Sequence, residues 1–212
     1  MVVALAACDR DPVPPADSPP PVPEGGRGRV VFVGTSLTAG LGVDPSEAYP
    51  ALLQRKIDSA GLRFTAVNAG VSGETSAGAR RRIDWLLREP AAVLVIETGA
   101  NDGLRGLDPD SLQANIQAII DRARRQTQPP RVILVGMEAP PNYGLRYVRR
   151  FRAVYPEVAK RNRVAFVPFL LQGVAGVDSL NQADMLHPTA MGQRRVAETV
   201  WPVLGRVLRG GR

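Results

Sequence analysis

From residue 29 onward the chain alternates short apolar runs with longer segments in which apolar positions recur every three or four residues. The short runs cover 30–34, 64–68, 92–98, 132–136 and 164–168 and are rich in valine and isoleucine. Apolar residues on consecutive positions suit strands of a parallel sheet covered on both faces. The longer segments predict helices. Over 46–60, Leu52, Leu53 and Ile57 fall on one helical face; over 110–127, Leu112, Ile116, Ile119 and Ile120 do the same. Ile83, Trp85, Leu86 and Leu87 mark a helix over 75–88, and two more are expected over 145–161 and 188–208. Five β-α units in succession predict an α/β domain over 29–212, a five-stranded parallel sheet with helices on both faces. Ligands of such open sheets bind beyond the carboxyl ends of the strands. Chemistry is therefore expected just after Gly34, Asn68, Thr98 and Gly136.

Composition narrows the function classes. A sequence of 212 residues with 44% apolar content suits one globular domain plus a short appendage. The net charge of +7 comes almost wholly from arginine, Lys56 and Lys160 being the only lysines. The arginines are scattered, as in Arg80, Arg81, Arg82 and in Arg122, Arg124, Arg125, and aromatic residues are few. Single-strand binders interleave basic and stacking residues, so nucleic acid is not an expected partner. Attraction to anionic membrane surfaces stays compatible with the charge. One cysteine and one histidine exclude an internal disulfide framework and clustered zinc motifs, so no metal is expected. The chain has no G-x-S-x-G elbow and no GxxxxGK phosphate loop. Gly40-Leu41-Gly42 begins a dinucleotide fingerprint, but Pro45 stands where its third glycine belongs.

The amino-terminal segment reads differently from the rest. Leu5-Ala6-Ala7-Cys8 resembles a bacterial lipobox, in which the cysteine becomes the lipid-bearing first residue. Residues 1–8 are thus expected to be a lipoprotein signal remnant with Cys8 as the lipidation site. Residues 9–28, with Pro19, Pro20 and Pro21 in succession, predict an extended, semi-rigid linker to the domain. A periplasmic or membrane-anchored lipoprotein of a bacterium is the expected localisation.

Four strand-end segments carry candidate chemistry. After the first strand, Gly34-Thr35-Ser36-Leu37-Thr38-Ala39-Gly40 sets a serine where the chain turns toward a helix. After the second, Asn68-Ala69-Gly70-Val71-Ser72-Gly73-Glu74-Thr75 contains a glycine able to bring a backbone N–H close to a ligand. After the third, Asn101 in Gly99-Ala100-Asn101-Asp102-Gly103 offers an amide donor. Asp184-Met185-Leu186-His187-Pro188 supplies the single histidine, with a carboxylate three residues earlier. A serine nucleophile needs a base within hydrogen-bond reach, and the base needs an orienting acceptor. Ser36, His187 and Asp184 fill those roles. The N–H groups of Ser36 and Gly73, with the Asn101 amide, would form an oxyanion hole.

These segments resemble the blocks of the SGNH (GDSL-type) hydrolases, whose name lists the serine, glycine, asparagine and histidine that match Ser36, Gly73, Asn101 and His187. The resemblance covers essentially all of 29–209. Asn101-Asp102-Gly103-Leu104-Arg105-Gly106 and Pro141-Asn142-Tyr143-Gly144 look most similar to the branch of bacterial periplasmic multifunctional acyl-CoA thioesterases, also described as arylesterases and lysophospholipases. The resemblance implies a three-layer flavodoxin-like fold with strand order 2-1-3-4-5. It also implies a serine esterase or thioesterase that acts through an acyl-enzyme on Ser36 and needs no cofactor. One departure is Thr35, where the family usually carries aspartate; activity is expected to survive it, because Thr35 takes no part in proton transfer.

The expected partner is a small acyl ester or thioester, and the expected form is a monomer. Leu41, Leu104, Leu107, Pro141 and Tyr143 lie near the strand ends and are expected to line the substrate groove. Two rival readings share the same residues: a polysaccharide O-acetyl esterase of the cell envelope, and a non-catalytic acyl-binding lipoprotein.

Overall fold

The computed structural model describes residues 26–211; the expected lipidation site Cys8 and most of the proline-rich linker lie outside them. Five strands, β1 (Gly28–Gly34), β2 (Phe64–Gly70), β3 (Val93–Glu97), β4 (Arg131–Val135) and β5 (Ala165–Val167), form one parallel sheet in the order β2-β1-β3-β4-β5. The central strands are apolar on both faces because both are covered: Val30 to Val33, Val93 to Ile96 and Ile133 to Val135 are all buried.

The helices are α1 (Ser36–Ala39), α2 (Tyr49–Ser59), α3 (Ser76–Leu86), α4 (Ala100–Leu104), α5 (Pro109–Arg124), α6 (Leu145–Asn162) and α7 (Ala190–Leu208). Crossovers between parallel strands are right-handed, and the step from β1 to β2 runs opposite to all later steps. That reversal puts α2 on one face, where it packs on α7. It puts α3, α5 and α6 on the other, in that order of contact. The three-layer architecture and the strand order agree with those that the family resemblance implies. The reversal also opens a crevice at the carboxyl ends of β1 and β3.

Local differences from the expected elements have local causes. The segment expected as one helix over 46–60 divides into a 3-10 turn, Pro45–Glu47, and α2. Pro50 has no N–H to donate back to Ser46, so the α-helix starts afresh, with Ala48 extended at its cap. The last helix starts at Ala190, because Pro188 is held in an antiparallel bridge to Asn181. The short helices α1 and α4, one turn each at the ends of β1 and β3, have too few residues to show a periodicity. Among the described residues, no helix is long and apolar enough to cross a membrane.

Candidate active site

β1 delivers the chain to the crevice at Gly34, where a Cβ would sit 1.9 Å from the Thr38 hydroxyl, so the turn can close only on glycine. Thr35 is extended and caps α1, its hydroxyl accepting from the Leu37 N–H, and Ser36 opens the helix. Gly40 ends it in the left-handed region at φ 77°. Beneath this turn lies Glu97, the last residue of β3 and fully buried. Its carboxyl group accepts from the Thr35 N–H at 2.8 Å, from the Thr35 hydroxyl at 3.0 Å and from the Thr38 hydroxyl at 2.8 Å. The Thr38 hydroxyl also meets that of Tyr49 at 2.8 Å. Burial pushes the Glu97 pKa up, and the hydrogen bonds from Thr35 and Thr38 offset part of that rise.

The histidine arrives on the loop before α7. The bridge from Asn181 to Pro188 closes the base of this loop, the Gln182 N–H donates to the His187 carbonyl at 2.8 Å, and Met185 turns the chain at φ 57°. The Gln182 side chain ties the loop to the turn that carries Ser36 by donating to the Leu41 carbonyl at 2.7 Å. Asp184 Oδ1 accepts from the N–H groups of Leu186 and His187 at 2.9 and 3.0 Å, while Oδ2 lies 2.6 Å from His187 Nδ1. His187 Nε2 lies 2.8 Å from Ser36 Oγ. The ring contact with His187, then the backbone N–H groups of His187 and Leu186, lower the Asp184 pKa to about 2. An ionised Asp184 can only accept, so Nδ1 carries the ring proton of a neutral His187 and Nε2 is left to accept from the serine hydroxyl.

Two further strand ends complete the crevice. Gly73 follows β2 with φ 77°, a left-handed conformation that glycine adopts without strain. Its carbonyl accepts from Arg105 at 3.0 Å. The adjacent Glu74 is gripped by Arg82 through contacts of 2.7 and 2.6 Å. Asn101, in α4, donates one amide hydrogen to the Glu74 carbonyl at 3.0 Å, which aims the side chain and leaves its second N–H for a ligand. Asp102 is buried and accepts from Ser76 N–H and Oγ at 2.8 and 2.5 Å, locking α4 to the start of α3. Among the described residues, no group of three or more His, Cys, Asp or Glu side chains could hold a metal ion.

Ser36, Gly73, Asn101 and His187 line one cleft of about 540 Å³. Its remaining wall is mostly apolar. Of the five residues expected to contact substrate, Leu41, Leu104 and Pro141 line the cleft, whereas Leu107 and Tyr143 do not. Tyr143 stands outside the cleft, its hydroxyl donating to the Leu104 carbonyl at 2.8 Å, and the Leu107 carbonyl is held by Tyr147 at 2.7 Å. Met137, Phe169, Leu171, Met185 and Leu186 line the wall instead. They come from connections without periodicity, and nothing in the sequence singles them out. Glu97 was legible only as the end of a strand.

A strand-end serine, a carboxylate-oriented histidine within hydrogen-bond reach of it, and two further donors on the same cleft make an arrangement able to carry out acyl transfer on a doubly wound sheet. The comparisons agree with that class. Residues 32–195 match the GDSL-like Lipase/Acylhydrolase family. The chain belongs to this family. It is 44% identical over 180 residues to Esterase TesA of Pseudomonas aeruginosa, covering 84% of this chain and 89% of that one. It is 36% identical over 171 residues to Thioesterase 1/protease 1/lysophospholipase L1 of Escherichia coli strain K12, covering 80% and 79%. The crystal structure of the psychrotrophic esterase EstA from Pseudoalteromonas sp., inhibited by monoethylphosphonate, superposes with a TM-score of 0.80 at 31% identity, covering 85% and 98%.

Proposed function

We propose that this protein is a serine hydrolase of carboxylic esters and acyl thioesters, with Ser36 as nucleophile, His187 as general base and Asp184 as the residue that orients it. The observation that carries the reading is the continuous chain from Asp184 Oδ2 through the His187 ring to Ser36 Oγ, with contacts of 2.6 and 2.8 Å. Ser36 Oγ attacks the acyl carbon as His187 Nε2 takes its proton. The tetrahedral oxyanion is met by the N–H groups of Ser36 and Gly73 and by the free amide hydrogen of Asn101. His187 then gives its proton to the leaving alcohol or thiol. Water, deprotonated by the same nitrogen, releases the acid and restores the serine. The steps need no cofactor.

The apolar cleft supports a fatty acyl group over an acetylated sugar, because a polysaccharide esterase would need a polar floor to pair the sugar hydroxyls. Relatives named for esterase, thioesterase and lysophospholipase activity support the same substrate class. The lipobox-like Cys8 supports anchoring to a bacterial membrane through the segment expected as a linker over 9–28, whose last residue, Gly28, already belongs to β1, so that the domain begins at Gly28 and not at 29.

The test is a panel of nitrophenyl esters from acetate to palmitate, with acyl-CoA thioesters and acetylated oligosaccharides alongside. Medium or long acyl esters are expected to be hydrolysed fastest. Preference for the acetylated sugars would overturn the substrate class, and no turnover of any member would overturn the enzyme.

A further inference from the structure

The mouth of the cleft carries more exposed apolar surface than the chemistry requires. Leu104, Leu107 and Tyr143 are partly exposed on one lip, Leu145 beside them is 73% exposed, and Leu41 and Leu186 face outward on the other. These are not scattered side chains. Tyr143 is bonded to the Leu104 carbonyl, Tyr147 to that of Leu107, and the two tyrosine rings pack with centroids 5.2 Å apart. Isolated exposed leucines need no explanation, but a contiguous patch around a pocket marks a surface that meets something apolar.

The charges beside the patch identify what it meets. Leu145 opens α6, and Arg146 and Arg149 follow it within one turn, Arg149 sharing its helix face. Arg105, exposed between Leu104 and Leu107, donates to the Gly73 carbonyl at 3.0 Å and has, among the described residues, no carboxylate partner. Among the described residues, none of these three arginines forms an ion pair. The neighbouring acids are already engaged: Asp110 pairs with Arg150, Glu138 with Arg152, and Asp108 caps α5. A second copy docked face to face on a two-fold axis would bring six unpaired arginines together, which disfavours a dimer here. Exposed leucine and tyrosine interspersed with uncompensated arginine fit the boundary between headgroups and acyl chains of an anionic bilayer.

We infer that this rim is an interfacial docking surface for anionic lipid, seating the open cleft on a membrane so that acyl substrate enters directly from the lipid phase. The inference rests on the proposed esterase activity only for what the docking serves, and binding can be measured without turnover. The test uses the 212-residue chain carrying Cys8→Ser and Ser36→Ala, so that neither a lipid anchor nor hydrolysis intervenes. It is sedimented with vesicles of phosphatidylglycerol and phosphatidylcholine, and with phosphatidylcholine alone, at about 0.1 M salt. Co-sedimentation is expected with the anionic vesicles and much less with the neutral ones. Adding Leu145→Glu, Arg146→Glu and Arg149→Glu is expected to weaken binding at least tenfold. A milder pair, Arg146→Ala with Arg149→Ala, is expected to weaken it in the same direction. With Ser36 restored, both sets are expected to hydrolyse soluble nitrophenyl acetate at the unaltered rate, which also reports that they fold. No binding to anionic vesicles, equal binding to both vesicle types, undiminished binding by the variants, or a dimer that the same substitutions dissolve would each overturn the inference.

Discussion

The N–H of Thr35 donates to Glu97 at 2.8 Å, so the residue immediately before Ser36 is held by a carboxyl group buried at the end of the neighbouring strand. The Thr35 hydroxyl adds a second bond to the same group, at 3.0 Å. The threonine that departs from the family pattern therefore contributes a neutral hydroxyl where an aspartate would set a second carboxyl group against a buried first one.

That relationship has a pH signature. Glu97 has its folded-state pKa raised by burial, so the native protein binds this proton more tightly than the unfolded chain does. The associated stability is complete below the unfolded value of about 4.3 and is lost as pH rises through the raised one. Glu97→Gln should flatten this part of the stability profile and keep the fold. Glu97→Leu leaves the donors of Thr35 and Thr38 unpaired and should cost about 2–5 kcal/mol. Urea unfolding between pH 4 and 9 measures both; equal pH profiles for wild type and Glu97→Gln would contradict the account.

Asp184 is predicted to stay ionised throughout the acid limb of the rate profile. The His187 ring and two backbone N–H groups hold its pKa down to about 2, so the carboxylate should contribute no protonation to the acid limb. The logarithm of kcat/KM should rise with unit slope before its plateau, whereas a slope of two would mean that the carboxylate titrates with the ring. Asp184→Asn removes the acceptor that fixes the tautomer and should lower kcat by about 10²–10⁴ with little change in KM.

Asn101→Ala is expected to lower kcat by about 10²–10³, the usual effect of removing one oxyanion donor. Part of the loss should come through Gly73, because the same amide holds the Glu74 carbonyl. Gly73→Ala meets no crowding, its new Cβ lying 3.9 Å from Arg105. Its cost is conformational, about 1–2 kcal/mol at a left-handed φ. Stopped-flow kinetics on nitrophenyl butyrate checks the first, and thermal unfolding the second; an Asn101→Ala enzyme with unchanged kcat would remove the amide from the oxyanion site.

Phe169 and Leu104 set the apolar wall in this account. Phe169→Ala removes a whole phenyl ring from the wall and should move the acyl-length optimum toward longer chains, since even one methylene of pocket contact is worth about 1–3 kcal/mol. Acetate, which has no chain to lay along the wall, should change by no more than about twofold. Tyr143→Ala should act more weakly, through the Leu104 carbonyl it supports. An unchanged chain-length profile in Phe169→Ala would place the acyl chain elsewhere.

The sequence carried the sheet well because Val93 to Ile96 and Ile133 to Val135 are apolar without interruption, a pattern that parallel strands require. Ser36, Gly73 and Asn101 were legible because each stands just beyond a strand end with a residue type suited to one chemistry, and His187 because it is the single histidine and follows Asp184 by three residues. Glu97 was not, since its role exists only once Thr35 and Thr38 are folded against it. Phe169, Leu171 and Met185 escaped for a related reason: a cleft wall assembled from irregular connections leaves no periodic trace. Leu107 and Tyr143 were misplaced because proximity to a strand end does not say which way a side chain turns.

Every other catalytic role depends on Ser36 acting as the nucleophile. Treating the wild-type protein with a fluorophosphonate and mapping the adduct by mass spectrometry tests it directly. One stoichiometric adduct is expected on Ser36, formed in parallel with loss of esterase activity and absent from Ser36→Ala. No adduct on the wild type, or equal labelling of Ser36→Ala, would contradict it.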